Sequence, residues 1–373
     1  MRFSRSISLL FSSSFSNSEE ICQDFDLADE CQANAALEFI NCGSACDDSI
    51  CEEKCLVDYR HELDSCPCGR DCPTGCQNCF HPICKDKKHF FVIGNYGEFR
   101  KENFIISTSG EFVENREIAV PGNKKGYLHQ VGHALLNDEL FVFGGYYDSY
   151  KAAVLEGCAF RELHQRLIYD YSIGNNVQEL GGEVFICFNS QYSDASKICQ
   201  VFDGSSFRVH RSETSFTHQS GCLANYQGNL LAIGSYYSGD RSKVELLSNE
   251  IWKEQEQHPK QMALFGCLAI GDEKVITIGG FNVITNRPYD DIFAFENSSW
   301  RSVGKLLTPQ FYSTVYAFGG ELFSVLGGKS PYNIERLEMD SGNGNVTENT
   351  VIYSDFRLDA PIVFYVDLDF CAN

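Results

Sequence analysis

The segment Val131-Gly-His-Ala-Leu-Leu-Asn-Asp-Glu-Leu-Phe-Val-Phe-Gly-Gly145 decides the fold of this chain. It contains a short apolar run that ends in two glycines, which is typical of a short β-strand. Equivalent runs recur with anchors at positions 94, 144, 188, 234, 279 and 327, which are 50, 44, 46, 45 and 48 residues apart. A period near 47 residues indicates a repeat architecture.

A second marker recurs with the same period as the anchors. An aromatic residue follows each of the first five anchors after 16 to 21 residues, at Phe112, Phe160, Phe207, Trp252 and Trp300, and only Val346 stands near that place in the sixth copy. Another strand-like run lies between anchor and marker, as in 243–247, 291–295 and 332–337. Each unit therefore supplies about four short strands, and the fold class is all-β.

The unit 131–145 closely resembles the inner half of a kelch repeat, and 271–280 is similar to it as well. The resemblance spans residues 88–373, although Phe188 replaces the first glycine in the third copy. It implies a β-propeller with four-stranded blades around a channel. His133 falls where kelch units carry a structural histidine.

The two ends of the repeat region set the predicted blade count. The first copy starts directly with its glycine-bearing strand, and a spare strand remains at 361–366. Its simplest use is to complete the first blade, which predicts a closed ring of six blades.

Cysteines mark a second unit before the propeller. Residues 22–84 hold twelve of the 18 cysteines, a density typical of a disulfide-rich module with some helix. These are Cys22, Cys31, Cys42, Cys46, Cys51, Cys55, Cys66, Cys68, Cys72, Cys76, Cys79 and Cys84. Zinc is the alternative, because Cys76 and Cys79 have Cys-x-x-Cys spacing and His81 lies nearby.

The other six cysteines fall in the propeller repeats. Cys187 and Cys199 occupy consecutive strands and are expected to face each other across a hairpin. Cys222 and Cys267 occupy equivalent innermost strands, where they either pair or serve as small buried residues. Cys158 and Cys371 remain as candidates with no predicted geometry.

Export from the cell fits these cysteines. Residues 1–18 have the pattern of a signal peptide, with arginines, a short apolar centre and then serines. Asn297 and Asn345 begin glycosylation triplets. The net charge of −21 disfavours nucleic-acid partners, and no run approaches the roughly 20 apolar residues of a membrane span. We therefore expect a secreted, extracellular protein.

No catalytic signature stands out in the sequence. His129 and His133 are four residues apart and could in principle share a metal, but packing is the favoured role of His133. The kelch resemblance implies a copper radical oxidase similar to galactose oxidase as one alternative, although its ligand set does not map onto this chain. An intracellular kelch adaptor is the other alternative, and the cysteines disfavour it. We expect no enzyme activity, no cofactor and no metal.

Tyrosines and arginines instead follow the anchors, in connections that lie on one end of a propeller. Tyrosine mixed with small polar residues is typical of protein-binding surfaces. This pattern predicts a non-catalytic protein that binds a protein or a glycan, although the same rings could pack between blades. The predicted binding face comprises Tyr96, Tyr146, Tyr147, Tyr150, Tyr192, Tyr236, Tyr237, Arg241, Arg287, Tyr289 and Tyr332.

Overall fold

The protein is described here from a computed structural model, in which two units are distinguished, Met1–Asp86 and Lys87–Asn373. The described residues are 89–94, 103–107, 109–124, 126–172, 176–188, 194–237, 239–318, 321–327, 333–340, 343–354, 361–366 and 370–371. The predicted signal peptide, the cysteine-rich module with its twelve cysteines, and Tyr96, Tyr192 and Tyr332 lie outside them.

The described residues of the second unit form 24 antiparallel strands. The first blade contains β1 (His89–Ile93), β2 (Asn103–Ser107), β3 (Phe112–Asn115) and β24 (Ile362–Val366), in the order β24-β1-β2-β3. The second contains β4 (Gly132–Leu136), β5 (Glu139–Phe143), β6 (Ala152–Glu156) and β7 (Ala159–Glu162) in sequence order.

The next two blades repeat this plan. The third contains β8 (Val177–Leu180), β9 (Glu183–Cys187), β10 (Cys199–Phe202) and β11 (Phe207–Val209). The fourth contains β12 (Cys222–Tyr226), β13 (Asn229–Ile233), β14 (Val244–Ser248) and β15 (Ile251–Glu254). In the second, third and fourth blades the second strand ends just before a sequence anchor, Gly144, Phe188 or Gly234, whose positive φ turns the chain there.

The last sheet is larger than the others. It contains β16 (Gly266–Ile270), β17 (Lys274–Ile278), β18 (Phe281–Asn282), β19 (Arg287–Glu296), β20 (Ser299–Phe318), β21 (Glu321–Gly327), β22 (Asn333–Met339) and β23 (Val346–Ser354). Strand β20 pairs with β19 through its first half and with β21 through its second half. The strands of the fifth and sixth repeats therefore share one sheet.

The predicted count of six blades is therefore wrong, because the described strands form five sheets. Elsewhere the chain leaves the sheet between one blade and the next, but here it stays extended from Ser299 to Phe318. Tyr289 still pairs with Gln310 beyond an irregular register near Asp291, so the ladder continues into the next repeat. The fold is a β-propeller of five blades, the fifth built from two repeats.

Buried apolar side chains fill the spaces between neighbouring sheets. Phe91, Val142 and Phe364 belong to one cluster that joins the first two blades. Val92, Tyr316 and Val363 belong to another, which joins the first blade to the last sheet. These two clusters place apolar contacts on both sides of the first blade, so the ring is packed closed there.

The C-terminal strand joins the two ends of the ring. Strand β24 pairs with β1 over five residues, from His89 opposite Val366 to Ile93 opposite Ile362. The Thr314 hydroxyl donates a hydrogen bond of 2.8 Å to the carbonyl of Pro361. The first blade thus consists of the first three strands of the propeller and its last one.

Three disulfides are formed among the described cysteines. Cys187 and Cys199 lie opposite each other in β9 and β10, with Cα atoms 3.9 Å apart, as expected across a hairpin. Cys222 and Cys267 join the innermost strands of neighbouring sheets. The pair Cys158–Cys371, which the sequence did not specify, ties the β6–β7 turn to the C-terminal segment.

Removal of residues from Pro361 onward is expected to abolish cooperative folding of the whole propeller. The deletion leaves β1 as an unpaired edge, exposes Phe91 and Val92, and removes Cys371 from a disulfide that closes a loop of 213 residues, worth about 5 kcal/mol in the chain-entropy model. Thermal unfolding followed by circular dichroism measures the effect. Cys371→Ser, which keeps β24, is the matched variant and should lose less stability. Unchanged melting of the truncated protein would contradict closure by β24.

Candidate functional site

The candidate site is one end of the propeller, which we call the loop face. It comprises the connections between second and third strands, such as 144–151, 234–243 and 279–286, and the segments that lead into each blade, such as 126–131, 217–221 and 261–265. Backbone hydrogen bonds join the two kinds of segment. Tyr146 N donates to His129 O at 2.9 Å, and Tyr236 N donates to Gln219 O at 2.8 Å.

A repeated backbone conformation holds these entry segments. Gln130, Ser220, Leu264 and Tyr312 each precede an innermost strand segment and have φ between 53° and 57°. Leu264 N donates to Ser220 O, and Tyr312 N donates to Leu264 O, both at 2.7 Å. These bonds connect successive repeats at the loop face. The sequence does not reveal this feature, because none of the four residues is a glycine.

Three of the predicted tyrosines lie together in the second blade. Tyr146 and Tyr147 are each 64% exposed, the highest values among the described tyrosines, and Tyr150 is 42% exposed. The rings of Tyr146 and Tyr147 are 5.2 Å apart at 78°. His129 lies 5.3 Å from Tyr146 and 6.3 Å from Tyr147. The structure therefore assembles an exposed aromatic cluster where the sequence predicts a binding face.

The loop that carries these tyrosines is fixed by hydrogen bonds. Tyr150 O accepts from Leu167 N at 2.9 Å, and Ser149 O accepts from Tyr171 N at 2.7 Å. Asp148 accepts from the backbone of Tyr150 and pairs with Arg166. Desolvation alone would raise the pKa of the Asp148 carboxyl, but the hydrogen bonds from Arg166 and from the backbone of Tyr150 outweigh it. The pKa of Asp148 is therefore lowered.

Lys151 holds the start of the same loop through a hydrogen bond to its backbone. Its side chain is buried, donates to the carbonyl of Gly144 and lies 4.9 Å over the ring of Tyr127. Burial lowers the pKa of Lys151 to about 8. Gly144 has φ of 60°, and a Cβ there would lie 2.0 Å from the carbonyl oxygen of Tyr171. The double glycine thus lets the chain pass close to the next blade.

The fourth blade presents a second, smaller aromatic pair. Tyr236 is 43% exposed and Tyr237 is 36% exposed. Arg241 Nε donates to the carbonyl of Tyr236 at 3.4 Å, so this predicted anchor supports the loop. Asp240 accepts from the backbone and the hydroxyl of Thr217, at 3.0 and 2.8 Å.

The predicted residues of the fifth repeat differ from one another. Arg287 is exposed at the start of β19. Tyr289 is partly buried, packs against an apolar cluster and makes a hydrogen bond of 2.7 Å with Asn282. Lys260 lies 5.5 Å from its ring. For Tyr289 the structure therefore favours the alternative that these rings pack between blades.

Buried acceptors hold the entry segments of three blades. Glu245 accepts from the backbone N–H groups of Ser215 and Phe216, at 2.9 and 3.1 Å. Glu335 accepts in the same way from Leu307 and Thr308, at 3.0 and 3.1 Å. Gln200 does so for 168 and 169, at 2.9 and 3.3 Å. Each acceptor lies in the third strand of its repeat, so one device recurs with either a carboxylate or an amide.

The two buried carboxylates differ in one neighbour. His218 Nε2 lies 3.0 Å from Glu245, and His218 Nδ1 lies 3.0 Å from the carbonyl of Gly234, with both side chains of the pair fully buried. Desolvation raises the pKa of Glu245, but the hydrogen bond of His218 and those of the backbone outweigh it, so the pKa is lowered. For Glu335, desolvation prevails over its two backbone bonds and raises the pKa.

The two histidines of the sequence candidate have different neighbours, since His129 contacts the rings of Tyr146 and Tyr147. His133 Nε2 lies 3.3 Å from the hydroxyl of Tyr316, between innermost strand segments of the second and last sheets. Burial lowers the pKa of His133 to about 4. The described residues contain no group of three or more His, Cys, Asp or Glu side chains that could hold a metal ion.

The two glycosylation candidates lie at exposed turns. Asn297 occupies the tight turn between β19 and β20, with φ of 51°. Asn345 precedes β23, and its Oδ1 accepts from Arg301 at 2.6 Å. Glycosylation at both positions stays a prediction.

Comparison with known proteins adds support for the fold. Among solved structures, the chain is similar to one described as "Structure of YjhT", with a TM-score of 0.50 and 13% sequence identity, over 70% of this chain and 97% of that chain. No family model and no curated protein matches the chain. The described part of the chain also has no helix suited to crossing a membrane. The class that these findings define is a β-propeller.

Glu245→Gln and Glu335→Gln are expected to change the free energy of unfolding in opposite ways with pH. Glu245, with a folded pKa below 4.5, contributes stability that is present above that pH and is lost as the pH falls through the folded pKa. Glu335, with a folded pKa above 4.5, contributes stability that is present below that pH and is lost as the pH rises through the folded pKa.

Urea unfolding at several pH values measures both variants. At pH 7, E245Q removes the carboxylate that faces His218 and should cost about 3 kcal/mol. E335Q keeps an amide acceptor like that of Gln200 and should change stability by less than about 1 kcal/mol. A greater loss for E335Q than for E245Q at pH 7 would contradict this assignment.

Proposed function

We propose that this protein is an extracellular, non-catalytic binding protein of the kelch type, which recognises a protein or a glycan through its loop face. One observation carries the proposal. Tyr146 and Tyr147 are 64% exposed on a loop whose backbone is hydrogen-bonded to the neighbouring segments. Exposed aromatic rings on a rigid frame lose little conformational entropy on binding, which favours affinity.

The kelch assignment draws on the glycine anchors. Gly144, Gly234 and Gly279 end the second strand of their repeats with φ between 60° and 66°. Phe188 stands at the same place in the third blade and has φ of 56°, so the backbone turn is kept without a glycine. The left-handed conformation costs this residue about 1 kcal/mol. Its ring, fully buried beside His218 and Trp252, offsets that cost.

The extracellular assignment draws on the disulfides. Three pairs join all six described cysteines, and such bonds persist in oxidising compartments. The full chain expressed in a secreting cell line should appear in the medium with these three pairs bridged. Mass mapping of blocked and reduced thiols measures the pairing. Retention in the cytosol with free thiols at these positions would contradict secretion.

The double variant Tyr147→Ala, Tyr237→Ala tests the loop face. Both rings lie on the proposed binding end, and their loss should weaken capture of extracellular partners at least about tenfold. Capture from extracellular fluid on immobilised full chain, with quantitative mass spectrometry, measures the loss. Ile251→Ala is the matched control, because Ile251 is 59% exposed at the β14–β15 turn on the opposite end. An unchanged partner list in the double variant would contradict recognition through this face.

A further inference from the structure

The ring of Tyr147 packs over the backbone of Gly126 in the second blade. A Cβ built on Gly126 would lie 2.3 Å from Cε2 of Tyr147, so only glycine leaves room for the ring to cover this backbone. Gly126 also has φ of 66°, a backbone conformation that residues other than glycine rarely adopt. One side of the Tyr147 ring thus rests on the chain, while 64% of the residue is exposed. The ring is a small, flat, apolar platform.

Tyr146 adds a wall to this platform. Its ring is inclined at 78° to that of Tyr147, with centroids 5.2 Å apart. His129 lies 5.3 Å from Tyr146 and 6.3 Å from Tyr147 and packs against the same corner. A flat ligand that stacks on Tyr147 makes the same steep angle with the Tyr146 ring. This geometry fits a single six-membered ring better than an extended apolar surface.

The charged groups around the corner are balanced. Asp148 pairs with Arg166, and their side chains are 32% and 52% exposed. Lys124 lies 3.8 Å from Glu162. The chain as a whole carries a net charge of −21, which repels polyanions, whereas these two basic side chains at the corner each pair with an acidic one. Such a rim suits a ligand with many hydroxyl groups and no net charge.

We propose that the corner of Tyr146 and Tyr147 binds a pyranose ring of a neutral glycan. The apolar C–H face of the sugar stacks on Tyr147, and its hydroxyls form hydrogen bonds with Asp148 and Arg166. The site lies on the second blade of the loop face. This inference rests on the proposed function and names its ligand class. A protein partner at the same corner is the competing outcome of the test.

An array of neutral gluco-, galacto- and manno-oligosaccharides, with heparin as the anionic comparison, tests the proposal on the full chain. The wild-type protein should bind at least one neutral oligosaccharide with a dissociation constant of about 1 mM or lower. Tyr147→Ala should weaken that binding about tenfold, because it removes the ring on which the sugar stacks. Tyr147→Phe keeps the ring and should stay within about threefold of wild type.

Ile251→Ala, at the β14–β15 turn on the opposite end of the propeller, is the control and should leave glycan binding unchanged. Thermal unfolding of each variant should match wild type, since these side chains are exposed. The proposal is overturned if no neutral oligosaccharide binds, if heparin binds best, or if Tyr147→Ala binds as wild type does. Loss of a captured protein in the Tyr147 variant without any glycan binding would refute this ligand class while leaving the proposed function standing.

Discussion

The ladder of backbone hydrogen bonds between β1 and β24 is the constraint on which the propeller depends. Each blade buries its apolar faces only against its neighbours, so the first blade needs a complete sheet with packing on both sides. Strand β24 provides its innermost strand, and the cluster with Val363 and Tyr316 joins that strand to the last sheet. The rigid loop face is a consequence of this closure, because its segments hydrogen-bond from one repeat to the next.

Much of this fold follows from the periodic sequence. The anchors at Gly144, Gly234 and Gly279 predicted where second strands end, because only a few backbone conformations allow such a turn. The pairing of Cys187 with Cys199 also followed from strand order. The blade count did not follow, because the continuity of β20 depends on the pairing of Tyr289 with Gln310, which no local pattern reports. The partner of Cys158 was likewise hidden, since it lies 213 residues away.

The candidate site was predictable in composition but not in geometry. Tyrosines after the anchors indicated the loop face, yet the same pattern also included Tyr289, which is partly buried against an apolar cluster. Exposure depends on what covers a ring, and that is a property of the tertiary structure. The contact between the Tyr147 ring and Gly126 joins two segments about twenty residues apart, and the sequence period does not predict this contact. The buried acceptors Glu245 and Glu335 were equally invisible, because charged residues in strands usually face water.

The bond between Cys158 and Cys371 has a mechanical consequence. A pull applied between His89 and Cys371 is carried covalently along the chain to Cys158 and then across the sulfur bridge. The 212 residues between the two cysteines, which include most of the blades, lie in a side loop outside that path. Under tension, only β1 to β6 lie on the covalent load path, while β24 and the other strands are shielded for as long as the bridge is oxidised.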